Sequence, residues 1–113
     1  MIGFPINKFY TAVAISSNAK LSASIDLYAS VLAAVQSPAA IDGTQMNFQG
    51  STDGTTFCDV VVPSSGTAYA VTIGTTKITP VDQSYFKSLR YIKLNCATTQ
   101  TGARVFGVIS TMP

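Results

Sequence analysis

The side chains behind most acid-base and metal chemistry are scarce in this sequence of 113 residues. With no histidine and no glutamate, the usual general base, a Ser-His pair and histidine-ligated zinc or iron all lack their first ingredient. A glycosidase-type carboxylate pair would have to come from Asp26, Asp42, Asp53, Asp59 and Asp82, which are scattered along the chain. Asp42 and Asp53 each precede a glycine and read as turn formers. Asp53 and Asp59 lie near one hairpin, yet calcium needs six or more oxygens and no calcium-loop spacing is present. The Gly-Thr and Ser-Gly pairs fall in turn contexts without a following helix, so no phosphate cradle is expected. Cys58 and Cys96 belong to no CxxC or metal-ligand spacing and read as buried free thiols, with a disulfide between them as the alternative. Catalytic residues, cofactors and metal ligands are all expected to be absent, and the chain does not read as an enzyme.

Binding chemistry remains. Tyr10, Tyr28, Tyr69, Tyr85 and Tyr91 offer rings that stack on sugars or bases, with Tyr69 and Tyr85 the candidates for glycan contact. Scattered single tyrosines more often sit at the core edge with a wet hydroxyl. Seven basic against five acidic residues give a formal charge of +2, far short of the density that grips a phosphate backbone. Lys87, Arg90 and Lys93 form the one local basic cluster, and strand alternation puts Arg90 and Lys93 on opposite faces. They read as solvated or interface charges, and nucleic acid is not an expected partner. Only 11% of residues are charged while 47% are hydrophobic, which points to a surface partly hidden against a partner or further copies. A neutral, Ser/Thr-coated monomer is the plainer alternative. Residues 1–10 lack a signal-peptide pattern, and no apolar run approaches the roughly 20 residues that span a bilayer, so no membrane association is expected.

The elements that must position these residues are strands. Met46 to Ser51 and Thr56 to Val62 flank Thr-Asp-Gly-Thr, a tight hairpin signal in which Gly54 supplies positive φ and Asp53 caps backbone amides. Residues 1–8 hold Gly3 and Pro5 and read as an extended arm, with Phe4 and Ile6 available to dock on a neighbour or fold back on the domain. A strand over 9–15 follows, carrying Phe9 and Tyr10. Over 20–27 the alternation is strict, with Leu21, Ala23, Ile25 and Leu27 on the core face. Residues 26–36 are open to helix or strand, and the neighbouring strands and Pro38 favour a buried strand over 31–36. Further strands are expected around Tyr69 to Ile73, over 77–81, over 90–96 with Ile92, Leu94 and Cys96 inward, and over 104–111. A single helical turn over 82–88 should tuck Phe86 under a sheet. About eight short strands without a long helix predict an all-β, antiparallel β-sandwich of jelly-roll-like form over 9–113, one domain behind its arm.

Phe48 to Phe57 (FQGSTDGTTF), Phe86 to Leu94 (FKSLRYIKL) and Ala103 to Ile109 (ARVFGVI) resemble, in order and spacing, small bacteriophage virion proteins. The first two signatures also resemble discoidin-like, galactose-binding-type β-sandwiches. The resemblance covers roughly residues 45–110 and implies a jelly-roll sandwich. For the phage proteins it also implies a place on the particle as a capsid decoration or fibre-base component. Members often carry Trp where this chain has Phe57, which is expected to serve as an aromatic core plug. Discoidin-like binders hold ligand in long loops, which are short here, so no ligand residue transfers.

The expected function is thus a non-enzymatic virion structural protein, a capsid decoration or cement subunit or a fibre-base subunit, located in the virion after assembly in the host cytoplasm. It would contact partners such as the major capsid protein, and further copies of itself, through Phe4, Ile6, Phe9 and Tyr10. The alternative is a glycan-binding module using Tyr69 or Tyr85.

Overall fold

Alternating apolar residues, short spacing between turn signals and β-branched content fold the described residues into nine strands. The structure, a computed structural model, describes residues 8–112. In chain order the strands are β1 (Lys8–Ile15), β2 (Ile25–Asp26), β3 (Val31–Gln36), β4 (Gln45–Ser51), β5 (Cys58–Asp59), β6 (Ala70–Thr72), β7 (Ile78–Pro80), β8 (Tyr91–Cys96) and β9 (Arg104–Thr111). One 3-10 turn, Gln83–Tyr85, precedes β8. Lys8 already belongs to β1, one residue ahead of the expected arm boundary, while Phe4 and Ile6 lie outside the described residues.

Two antiparallel sheets result, one ordered β1-β9-β3-β7 and the other β2-β8-β4-β5, with β6 sharing the outer edge of β4. The pairing is nested. The first strand pairs with the ninth, the second with the eighth, the third with the seventh and the fourth with the sixth. A long folded-back ribbon wound so that successive pairs fall in alternate sheets is a jelly roll.

The inward face of each sheet supplies half of one core. Val13, Ile15, Leu32, Val35, Phe106 and Val108 come from the β1 sheet, and Ile25, Met46, Phe48, Ile92, Leu94 and Cys96 from the other. Phe86, carried under the sheet by the 3-10 turn, meets Phe48 edge-on with ring centroids 5.2 Å apart. Burying each such side chain contributes roughly 1.5–3 kcal/mol. Burial pushes the Cys96 thiol up to about 11, so it is inert at neutral pH. Cys58 is exposed, contrary to the expectation that both thiols are buried, and both are free.

Two bulges correct the simple alternation. Leu21 bridges Asn95 and Ile25 pairs with Ile92, so four steps on one strand oppose three on the other. The extra residue flips the phase. Ser22 turns inward and its Oγ accepts from Leu94 N at 2.9 Å, while Leu21 (37% exposed) and Ala23 face water instead of the core. A second register shift between Leu32 and Ala34 lets β3 bury residues of both phases, which explains its unbroken apolar run.

The central hairpin is also looser than expected. Its paired residues are Gln49 with Asp59 and Gly50 with Cys58, leaving a wide loop rather than a tight two-residue turn. Gly54 has φ +80°, and Asp53 Oδ1 accepts from Thr55 N, Thr56 N and Ser51 Oγ. These amide bonds hold its carboxyl below the usual range. The Val60 N–H still donates to the Phe48 carbonyl, and beyond it the chain leaves β4 and Val61 bridges Ala68, so the expected strand over 56–62 shortens to two residues. Phe57 is no core plug. It is half-buried outside the core, beneath Lys93 Nζ at 4.4 Å.

Candidate functional site

Strand register alone determines what each sheet shows to the outside, because directly opposed residues of antiparallel strands share a face. On the β1-β9-β3-β7 sheet one transverse row runs Tyr10, Ile109, Ala34, Pro80. The next runs Ala12, Gly107, Gln36, Ile78, and a shorter one pairs Ala14 with Val105. Among the described residues these rows hold no charged side chain and one polar one, Gln36. Lys8, opposite Thr111, stands at one corner. Tyr10 is 61% exposed, Ile78 59% and Val105 57%, so these three lie open, whereas Ile109 is half-buried and Ala34 and Gly107 are buried between their neighbours.

Gly107 is what lets this face lie flat. It sits in the extended middle of β9, and a Cβ there would come within 2.4 Å of the Tyr10 ring. The ring therefore occupies the space that a side chain at position 107 would fill, a diagonal aromatic-glycine pairing across two strands. Large contiguous apolar patches of this kind mark interaction sites on soluble domains.

The opposite outer face is built by the same rules with other residues. Its rows run Asp59, Gln49, Lys93, then Ala70, Asn47, Asn95, then Ser51, Tyr91, Asp26. Asp26 accepts a two-point hydrogen bond from Arg90, Nε to Oδ1 at 3.1 Å and Nη2 to Oδ2 at 3.2 Å. That bond lowers the carboxyl pKa and raises that of the guanidinium. Arg90 also lies 5.3 Å from the Tyr91 ring centroid. This face is mainly polar, though its middle row continues from Asn95 to exposed Leu21 and the buried Asn47 Oδ1 has no hydrogen-bond partner.

At one end of the sandwich, Phe9, Leu27, Tyr28 and Met112, with Lys8 and Asp26, line a cavity of about 560 Å³. Tyr28 is 74% exposed and has φ +55°, a left-handed conformation rare for a bulky residue, held by its N–H donating to Asp26 Oδ1 at 2.8 Å. The opposite end is tied by polar groups. Fully buried Gln100 accepts from Asp42 N and donates to the carbonyls of Asp42 and Thr98. Asp42, bonded first of all by Arg104 Nη2 at 2.9 Å, has its carboxyl lowered. Asp42 thus staples two loops together, a role larger than that of a turn former.

The sequence candidates separate accordingly. Tyr10 belongs to the apolar face and Phe9 to the cavity wall beside it. Tyr69 is taken up by the core edge: its ring stacks 6.1 Å from Phe48, and its hydroxyl accepts from Asp82 N at 2.9 Å. Tyr85 meets Tyr69 edge-on at 4.7 Å. Sequence reasoning did not single out Ile78, Val105, Ile109 or Gly107, whose significance depends on which non-consecutive strands are neighbours. No protein-family model matches the chain, and no curated protein matches it with significance.

Proposed function

We propose that this chain is a non-enzymatic structural subunit of a bacteriophage virion, a capsid decoration or cement protein or a fibre-base subunit, working by protein-protein contact. The observation that carries the reading is the apolar outer face of the β1-β9-β3-β7 sheet, with Tyr10, Ile78 and Val105 exposed and Lys8 its charged side chain at a corner. Burying such a face against other virion proteins, such as the major capsid protein, releases water from apolar surface. Particle symmetry then multiplies each weak contact. The virion signatures over residues 48–57 and 86–94 and the jelly-roll topology support it. The test is cryo-electron microscopy and sedimentation of particles from cells carrying the gene. The chain should co-sediment at symmetric occupancy, and a chain recovered only as free protein overturns the proposal.

Glycan binding is the second reading, favoured by exposed Tyr28 beside the Asp26 carboxylate at the cavity mouth. Titration with oligosaccharides should then give binding that disappears on Tyr28→Ala, and a flat response across sugars counts against it.

A further inference from the structure

We propose that the apolar sheet face docks on the same face of a second copy of this chain, sheet against sheet across a two-fold axis. The inference rests on the assembly reading and names its first partner.

Three features fit a second copy, and the second of them favours it over an apolar foreign surface. The first is area. β1, β9, β3 and β7, at about 3.4 Å per residue and about 4.8 Å between strands, give a flat footprint on the order of 400 Å². Side-chain relief from Tyr10, Ile78 and Val105 raises the accessible area above that. Two copies then remove about 800 Å² of footprint, which side-chain relief carries toward the roughly 1,000 Å² that a specific interface should clear. The two sheets also carry the same twist, which suits aligned packing.

The second is the polar content. Gln36 lies in the second row, on one of the two central strands, and is exposed. Its amide is both donor and acceptor, so two copies near a two-fold satisfy each other. An apolar foreign surface would leave the amide buried and unpaired. The third is charge. Lys8 stands at a corner, and either two-fold axis lying between the sheets carries it to a different corner, so the two ammonium groups never face each other.

Analytical ultracentrifugation of the full chain over a concentration series tests this. A monomer-dimer equilibrium is expected. Ile78→Lys and, independently, Val105→Lys should weaken it by about tenfold or more, with melting temperatures unchanged at concentrations where the parent is monomeric, while Lys93→Ala on the opposite face leaves it untouched. A monomer at the highest soluble concentration, or a dimer indifferent to both lysine substitutions, overturns the inference. Particle sedimentation of the same variants separates the two proposals. A monomeric wild type whose particle association is lost in Ile78→Lys overturns the second-copy assignment, gives the face to another virion protein and leaves the assembly reading standing. A dimer with the expected sensitivities that never joins particles upholds the copy contact and removes the virion reading. A Phe4→Ser, Ile6→Ser double variant that dimerises where the wild type does not overturns the assignment in favour of the chain's own first residues.

Discussion

The two outer faces of this sandwich have the same pleat, the same antiparallel pairing and one core between them, yet opposite surfaces. One shows Tyr10, Ile109, Pro80, Ile78 and Val105 around a single amide; the other shows Asp59, Gln49, Lys93, Asn47 and Asn95, with exposed Leu21 beside Asn95. Folding stability does not require the difference, since an outward position contributes little to the core whatever its polarity. On the proposed reading the apolar face meets a partner, and the polar face is the same scaffold turned to water.

The most severe way to break the comparison is to remove what both faces share. Phe48 is fully buried and touches the aromatic group of Phe86 and Tyr69. Phe48→Ala should cost about 3–5 kcal/mol, seen as a lowered denaturation midpoint, and should impair both faces together. A sharper contrast places one substitution on each side. Val105→Lys and Asn95→Lys should both stay within about 0.5 kcal/mol of the parent stability, while only the first reduces association. Equal effects on association would remove the distinction between the faces.

A third test uses acid. Asp26, Asp42, Asp53 and Asp82 all have carboxyls lowered, by bonds from Arg90, from Arg104, from the Thr56 and Thr55 amides, and from Ser84 respectively. A depressed folded-state pKa gives stability that is fully present above the unfolded value of about 3.9 and is lost as pH falls through the folded values. The melting temperature should be level from pH 5 upward and fall below about pH 4. Asp53→Asn should flatten that fall. None of these carboxylates belongs to the apolar rows, so association per folded molecule should change little over the same range. The smallest effect expected is chemical. A thiol reagent at pH 8 should label exposed Cys58 and spare Cys96 in the native protein, with no loss of association.

Much of the scaffold was legible. β3 and β9 span the residues expected of them, and β8 buries Ile92, Leu94 and Cys96 as its alternation requires. What stayed hidden has physical reasons. A bulge is one extra residue and leaves no compositional trace, so Leu21 and Ala23 read as core until the register with β8 is known. Phe48 and Phe57 flank the same hairpin with similar sequence weight, but only Phe48 lies within a paired strand in the inward phase. The candidate face was half legible. Tyr10 was among the interface candidates, whereas Ala12, Gly107, Gln36 and Ile78 form a row only because four strands distant in sequence are neighbours in space.

That nesting also governs the order of events when the chain folds. Lys8 pairs with Thr111 and Ile15 with Arg104, so β1 finds no native partner until β9 has been synthesised. Loop-closure entropy must be met before these contacts stabilise anything, which places refolding in the millisecond-to-second range rather than microseconds. During synthesis the apolar β1 waits unpaired through the making of eight later strands. Stopped-flow refolding measures the delay directly, and a microsecond phase that recovers the full native signal would show that the outermost pairs do not limit the rate.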